Sequence, residues 1–240
     1  MCVNFTPSTK TDLIQHFQVK VPESFAWKEE VWQDYAAPII RHNAQHERQV
    51  QLAYYSMIPK HHIPAGIKRF STMNARAETL AQLRSFAPAW QSGQRCLVPL
   101  QNFFEPNYES GKAERWKIGL HDAKDFAVAG LFRTWERGSP DELVYSFTQI
   151  TINADTHPLM RRFHQPNEEK RSLVILHHDQ FDDWLACKNP EQAQTFLQLF
   201  PAEQMWAESA PMTRVKPIQK KTTLQKTNET ESSLDQLSLF

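Results

Sequence analysis

No stretch of this chain approaches the ~20 consecutive apolar residues that a membrane-spanning helix needs, and its start lacks a charged segment followed by an apolar one. Residence in the cytoplasm is the expectation. Cysteine is scarce: Cys2, Cys96 and Cys187 are the three, far apart, with no C-x-x-C pair. That excludes a disulfide framework and leaves Cys96 and Cys187, in apolar contexts, as buried packing residues. The histidine pairs His61-His62 and His177-His178 have no third ligand at a sensible spacing, so neither a metal nor another cofactor is expected. Net charge is also missing, with 27 Lys and Arg against 27 Asp and Glu, which on its face argues against a nucleic-acid partner.

The distribution of charge says otherwise. Between positions 41 and 95 the basic residues Arg41, Arg48, Lys60, Lys68, Arg69, Arg76, Arg84 and Arg95 face only Glu47 and Glu78. A local basic patch on a neutral protein is a phosphate-binding footprint, or an ordinary solvated face. The 240 residues, 40% of them hydrophobic, are enough for one sizeable domain with a core rich in its 15 phenylalanines and 7 tryptophans. Up to about position 212, strand-like and helix-like stretches alternate. Thr9 opens a capping pattern before Leu13 and Phe17, spaced i, i+4. Val50, Leu52 and Tyr54 alternate as on a half-buried strand, and further strands are expected at 95–100, 115–120, 126–135, 144–152 and 172–176. Helices are expected at 79–91, 155–163, 179–187 and 190–199. Many strands adjacent in sequence with interspersed helices predict an α+β domain over 2–212, built on a mainly antiparallel, twisted or barrel-like sheet with flanking helices.

From 213 to 235 the chain is rich in Lys, Thr, Gln and Ser without an aromatic, a composition too poor in apolar surface to offset ordering entropy. It reads as a disordered linker. It ends in QLSLF, residues 236–240, whose Leu237, Leu239 and Phe240 have nothing local to cover them. A short peptide that docks in a partner's groove explains this; so does an end folded back on its own domain.

Four positions carry candidate chemistry. Cys2 follows Met1, and initiator methionine is easily lost before a small residue. The freed cysteine would hold an α-amine of pKa about 7.7–8 and a thiol of about 8.5 on adjacent carbons. The amine can form a Schiff base with a carbonyl compound and the thiol can close on the imine, giving a thiazolidine. NARAET, from Asn74 to Thr79, supplies an amide that can orient a reacting group and the Arg76 guanidinium, which forks onto phosphate; otherwise Asn74 merely caps a helix. Glu105 ends CLVPLQNFFEP beside Phe103 and Phe104, where desolvation raises a carboxyl pKa as a general acid requires, unless it is an ordinary strand-end glutamate. His164 closes ITINADTHPLMRRFH and can shuttle a proton, although a lone histidine is often structural.

Together, the cysteine at position 2, NARAET, the Cys96-to-Glu105 strand and the Thr151-to-His164 segment resemble the SRAP family, the SOS-response-associated peptidases, which act on abasic sites in DNA. The resemblance covers roughly residues 2–212. It implies a sensor of abasic sites in single-stranded DNA, whose N-terminal cysteine forms a thiazolidine crosslink with the ring-opened sugar and shields the lesion. Cys2 is then the nucleophile, bared by loss of Met1 through self-cleavage. Asn74 holds the amine and the lesion, Glu105 is acid and base, and His164 opens the sugar. Arg76 binds a phosphate, and Asn4, Arg41, Arg48, Lys68, Arg69, Arg84, Arg161 and Arg162 complete the expected DNA-contacting set. Such an enzyme combines autopeptidase with Schiff-base, lyase-type chemistry. The chain departs from the family pattern in five places. Val3-Asn4 replaces Gly-Arg, so that affinity is lowered or the contact moves, for example to Arg41 or Arg48. Tyr55-Ser56 replaces Trp-Gly, and Pro106 replaces a tryptophan. A longer QPNEEKR follows His164, and Lys60 to His62 stand where a tryptophan-bearing wedge is usual. The tail, Gln236, Leu237, Ser238, Leu239 and Phe240, resembles the pentapeptide by which bacterial proteins bind the β sliding clamp, which implies a monomer tethered to the replication machinery near the nucleoid. Two other classes fit a cysteine at position 2: a class II glutamine amidotransferase, and a non-catalytic DNA-binding adaptor of the clamp.

Overall fold

The computed structural model describes residues 2–212, apart from 69 and 138. The linker 213–235, the peptide 236–240 and Arg69 therefore lie outside the described residues. Eleven strands join one sheet: β1 (Asn4–Pro7), β2 (Ala36–His42), β3 (Arg48–Tyr55), β4 (Asn74–Arg76), β5 (Arg95–Asn107), β6 (Glu114–Leu120), β7 (Phe126–Arg137), β8 (Ser139–Asn153), β9 (Arg171–Leu173), β10 (Ile175–Leu176) and β11 (Met205–Ser209). The helices are α1 (Lys10–Phe17), α2 (Ala87–Gln91), α3 (Phe181–Ala186) and α4 (Pro190–Gln194).

The sheet closes on itself. β7 pairs β8, β8 pairs β3, β3 pairs β2, β2 pairs β5, and β5 returns to β7. The result is a five-stranded mixed barrel, antiparallel except where β3 lies parallel to β8; β4 also joins β8 in parallel. Both faces of the wall are apolar, so side chains of period two feed two cores. Ile39, Tyr55, Val98, Val128 and Phe147, one from each barrel strand, belong to one cluster and fill the interior. Their neighbours Ile40, Leu97, Ala127 and Leu131 belong to the other, which packs against α1, α2 and α3 through Leu13, Phe17, Trp90, Phe181 and Trp184.

The capping pattern at Thr9 is realised as a reciprocal box: Asp12 N donates to Thr9 Oγ1, and Thr9 N donates to Asp12 Oδ2. The other helices are shorter than expected. Residues 79–86 are turns, and α2 begins only with Pro88 in its first turn. Over 155–163 there is a single 3-10 turn, Met160–Arg162. There the His157 ring accepts from the backbone N–H of Leu159 and Met160, taking the place of helical carbonyls. A 3-10 turn leads into α3, and α4 ends at Gln194. The strand expected at 172–176 is split at Val174, where the chain leaves β8 for β7. Cys96 and Cys187 are buried and free, as their contexts require. Arg95, counted above in the basic patch, is buried instead, with its guanidinium over the Trp90 and Trp184 rings and donating to the Cys187 carbonyl. No helix among the described residues is long and apolar enough to cross a membrane.

The seam where the barrel closes has no spare room. A Cβ on Gly130 would stand 2.9 Å from Cys96 Sγ, 2.9 Å from Val98 Cγ2 and 3.0 Å from the Thr148 carbonyl oxygen. Gly130→Ala is expected to lower stability by about 1–3 kcal/mol, read as a lower urea midpoint; an unchanged midpoint would show a looser seam.

Candidate active site around the N-terminal cysteine

Several elements converge on Cys2. β1 runs antiparallel to β5 with Asn4 opposite Phe104, so the residue before it heads for the end of β5 that carries Glu105. Tyr55, the last residue of β3, lies opposite Phe147 of β8, and Asn74, the first of β4, lies opposite Gln149. The same strand thus holds both side by side, and Asn74 opens a strand rather than capping a helix. His164 arrives through Phe163, which bridges to Asn107 at the end of β5, and its N–H donates to the Pro106 carbonyl at 2.8 Å.

The Cys2 carbonyl oxygen accepts two hydrogen bonds, from Asn74 Nδ2 at 2.7 Å and from the Tyr55 hydroxyl at 3.0 Å. Tyr55 Oη also lies 2.8 Å from the Gln149 side-chain amide. A phenol has a single proton to give. With the Gln149 amide turned so that Nε2 donates to Tyr55, the hydroxyl is free to donate to Cys2, and an otherwise partnerless buried Nε2 is satisfied. Asn74 therefore grips the carbonyl of Cys2 through Nδ2, since an amide N–H needs an acceptor. Its Oδ1, buried and without a hydrogen-bond partner among the described residues, is the end that can receive an amine.

Burial sets the chemistry. Cys2 is fully covered, its Sγ donates to the Asn4 carbonyl at 3.3 Å, and desolvation together with the nearby Glu105 carboxylate pushes its pKa far above the ordinary thiol range. It is a thiol, not a thiolate. Glu105 is 3% exposed, and burial raises its pKa to about 7. His164, whose Nδ1 is 3.5 Å from Glu105 Oε2, is pushed down to about 4 by burial, helped by the charges of Lys170 and Arg171. Near neutral pH the imidazole is uncharged and the carboxyl is half-titrated, so their contact is not an ion pair, and Glu105 can both give and take a proton. His164 holds φ +64°, the left-handed region, fixed by its bond to Pro106 and by Lys170 Nζ, 3.3 Å from its carbonyl. It lies at a cleft of about 510 Å³ lined also by Tyr108, Glu109, Arg161, Arg162 and Lys170.

The segment between Tyr55 and Asn74 contributes His61 and His62 to a row of aromatic rings that sequence reasoning missed, edge-on at Tyr54–His61, tilted at His61–His62 and stacked at His62–Trp135. Tyr54, His61, His62 and Trp135 follow one another at ring-centroid distances of 5.4, 4.4 and 4.0 Å, and the Arg133 guanidinium sits 4.0 Å over Trp135. Burial and the neighbouring His61 and Arg133 lower the His62 pKa, which favours its uncharged ring. Ser146 Oγ ties the row down, accepting from Trp135 Nε1 and donating to the Met57 carbonyl. Its signal in the sequence was spread over three segments, with His61-His62 the only part singled out.

The expected DNA-contacting residues separate into two groups. Arg76, on β4 two residues past Asn74, pairs with Glu169 at 2.8 Å. Arg161 is exposed, Arg162 forks onto Glu109 at 2.9 and 3.0 Å, and Lys68 and Arg84 are exposed. Asn4 does not face solvent: it is buried, and its amide donates to Glu30. Arg41 lies against Phe132 and Tyr145. Arg48 pairs with Asp182 of α3, seven residues up β3 from Tyr55 and so about 23 Å from it at the rise of a strand. Neither arginine stands in for one beside Cys2. Away from the site, Asp12, His16 and Asp125 bring ligand atoms within 4.8 Å of one another, but the Lys124 ammonium, 2.9 Å from Asp12, already supplies the positive charge there.

The family model described as SOS response associated peptidase (SRAP) matches residues 1–216. The chain is 34% identical over 141 residues to abasic site processing protein YobE of Bacillus subtilis, covering 58% of this chain and 60% of that one. It is 34% identical over 143 residues to abasic site processing protein YoqW of the same organism, covering 58% and 59%. The match thus spans about three fifths of those relatives. A crystal structure of a Bordetella bronchiseptica protein superposes with a TM-score of 0.76 at 29% identity, over 88% of this chain and all of that one.

Glu105 makes a sign-definite prediction. Its proton is held more tightly folded, at about 7, than unfolded, near 4.5, so its contribution to stability is full below the lower value and is lost as pH rises through the higher. A glutamine has no charge to bury. Glu105→Gln is expected to be the more stable protein at pH 8, by on the order of 2–3 kcal/mol, with the gap closing toward pH 4.5. Thermal melts of both proteins across this range check it, and a gap independent of pH would refute the buried, titrating carboxyl.

Proposed function

The chain belongs to the SOS response associated peptidase (SRAP) family, and from that premise we propose that it senses abasic sites in single-stranded DNA and traps them covalently on Cys2. The observation that carries the reading is the convergence on Cys2 of an amide, a carboxyl of pKa about 7 and an uncharged imidazole. Met1 is first removed by cleavage of the bond to Cys2, which frees the α-amine. His164 shuttles the proton that opens the sugar ring to its aldehyde. The Cys2 amine then adds to the aldehyde carbon. Glu105 gives its proton to the carbinolamine oxygen, which leaves as water, and its carboxylate takes the proton from the resulting iminium nitrogen, so that an imine remains. Cys2 Sγ adds to the imine carbon while the thiol proton passes to nitrogen, closing the thiazolidine. A thiol kept protonated by burial suits this order, because the amine attacks first.

Arg76, Arg161, Arg162, Lys68 and Arg84 contact phosphates, and the row from Tyr54 to Trp135 offers rings for unpaired bases. The histidine pair does the stacking that a tryptophan does elsewhere in the family. The peptide Gln236 to Phe240 docks on the β sliding clamp through Gln236, Leu237, Leu239 and Phe240, and its ~20-residue tether reaches about 25 Å. The protein then works as a monomer at the bacterial replication fork.

The reading is tested on a denaturing gel with an oligonucleotide carrying one abasic site. Protein shown by mass spectrometry to lack Met1 is expected to give a heat-stable shifted band, absent with intact DNA and absent for Cys2→Ala. No band from such protein would refute the trap and bring the amidotransferase class forward. The ratio of wild-type to Glu105→Gln crosslinking rates is expected to be largest below pH 7 and to fall as pH rises through about 7; a constant ratio would remove Glu105 from proton transfer. Deletion of 236–240 is expected to abolish binding to purified sliding clamp while leaving the crosslink intact. Retained clamp binding would place that contact elsewhere.

A further inference from the structure

We propose that Glu169 occupies, on Arg76, the place of a DNA phosphate in the free protein, and thereby sets how tightly the chain binds single-stranded DNA. The inference rests on the DNA-binding reading above. Arg76 ends β4, and its half-exposed guanidinium gives Nη1 to Glu169 Oε2 at 2.8 Å. The other oxygen, Oε1, receives Arg171 Nη1 at 2.7 Å and Asn153 Nδ2 at 3.1 Å. Donors from β4, β8 and β9 thus surround one anionic group. Arg171 is fixed and buried, with its second amino group on Glu78 Oε2 and the Thr151 carbonyl and its first also on Glu78 Oε1. Among the described residues Arg76 has no such second anchor, and so it is the member of the pair that can change partner.

A carboxylate and a phosphodiester each present two anionic oxygens to a guanidinium fork. Glu169 sits in the segment that follows His164, whose Lys170 bonds the carbonyls of His164 and Gln165 and whose backbone is held by Asp155. The carboxylate is therefore delivered to Arg76 by the same short stretch that borders the cleft over His164. An exposed ion pair is weak, so DNA can displace it, at a cost to affinity. Glu169 is a residue of the longer QPNEEKR insertion, which gives this chain its own affinity setting.

The test is fluorescence anisotropy with a labelled, lesion-free single-stranded oligonucleotide at moderate salt. Glu169→Gln, which keeps an acceptor for Arg171 and Asn153, is expected to bind roughly three- to tenfold more tightly than wild type. Glu169→Asp, which keeps the charge but falls short of Arg76, is expected to gain as well. Glu168→Gln, a change of the neighbouring charge, is expected to shift binding less than twofold, and in an Arg76→Ala background Glu169→Gln is expected to do nothing. Binding by wild type that neither Glu169 variant tightens, or an equal gain without Arg76, would overturn the proposal and leave the DNA reading standing. Absence of binding by every variant would overturn both. Melting temperatures of the variants separate lost binding from lost fold.

Discussion

The two hydrogen bonds on the Cys2 carbonyl oxygen, from Asn74 and Tyr55, hold Cys2 in place beside Glu105 and His164. A chain terminus is ordinarily its least ordered part, and fixing each residue costs about 1–2 kcal/mol of backbone entropy. Here the cost is met by a doubly accepted carbonyl, by the Sγ contact to Asn4 and by the pairing of β1 with β5. The barrel topology supplies the donors. Because β3 and β4 both lie parallel to β8, the end of one and the start of the other meet the same stretch of wall. An all-antiparallel barrel would have no reason to bring Tyr55 and Asn74 together.

That arrangement also explains the electrostatics. A fully covered Cys2 leaves little water beside Glu105 and His164, and both groups respond by favouring their uncharged forms. The two shifts have opposite effects on stability. Between about pH 4.5 and 6.5 the raised carboxyl makes the fold less stable as pH rises, while the lowered imidazole makes it more stable. The opposing slopes leave the combined cost of burying the pair nearly independent of pH across that window. The left-handed backbone of His164 is the visible strain, and it is carried by a single bond to each neighbouring strand end or side chain rather than by a glycine.

Much of this was legible in the sequence. The Thr9 capping box and the placement of Glu105 after two buried phenylalanines follow from local rules, and the structure has both; the strand at Val50 to Tyr54 forms, but beyond Val50 it buries Ala53 and Tyr55 rather than Leu52 and Tyr54. Helices fared worse, because the periodic apolar residues at 79–91 and 155–163 pack equally well from turns when a side chain such as His157 satisfies the backbone. Pairwise partners were not legible at all. Arg95 counts as a surface charge in sequence and is a core residue between two tryptophans, and Arg48 finds Asp182 from a helix 134 residues away in the chain. Glu78, inside NARAET, entered the sequence reading as an acid of the 41–95 segment, and the structure pairs both its carboxylate oxygens with buried Arg171. Tyr55 was noted only as a departure from the family pattern, since nothing local reveals that its hydroxyl meets a terminal carbonyl.

The departures from the family pattern named above all lie outside β8, whose side chains and carbonyls tie the surrounding elements together. Ser146 anchors both Trp135 and the Met57 carbonyl at the root of the aromatic row. Phe147 stacks on Tyr55 at 5.2 Å, Gln149 completes the relay to Cys2, and the Thr151 carbonyl receives Arg171, which steadies Glu169 under Arg76. Within six consecutive residues one strand fixes the Trp135 ring, Cys2 and the Arg171–Glu169–Arg76 chain relative to one another. β8 is thus the common reference for these groups, and the segment after His164 is tied back to it where Arg171 joins the Thr151 carbonyl to Glu169 beneath Arg76.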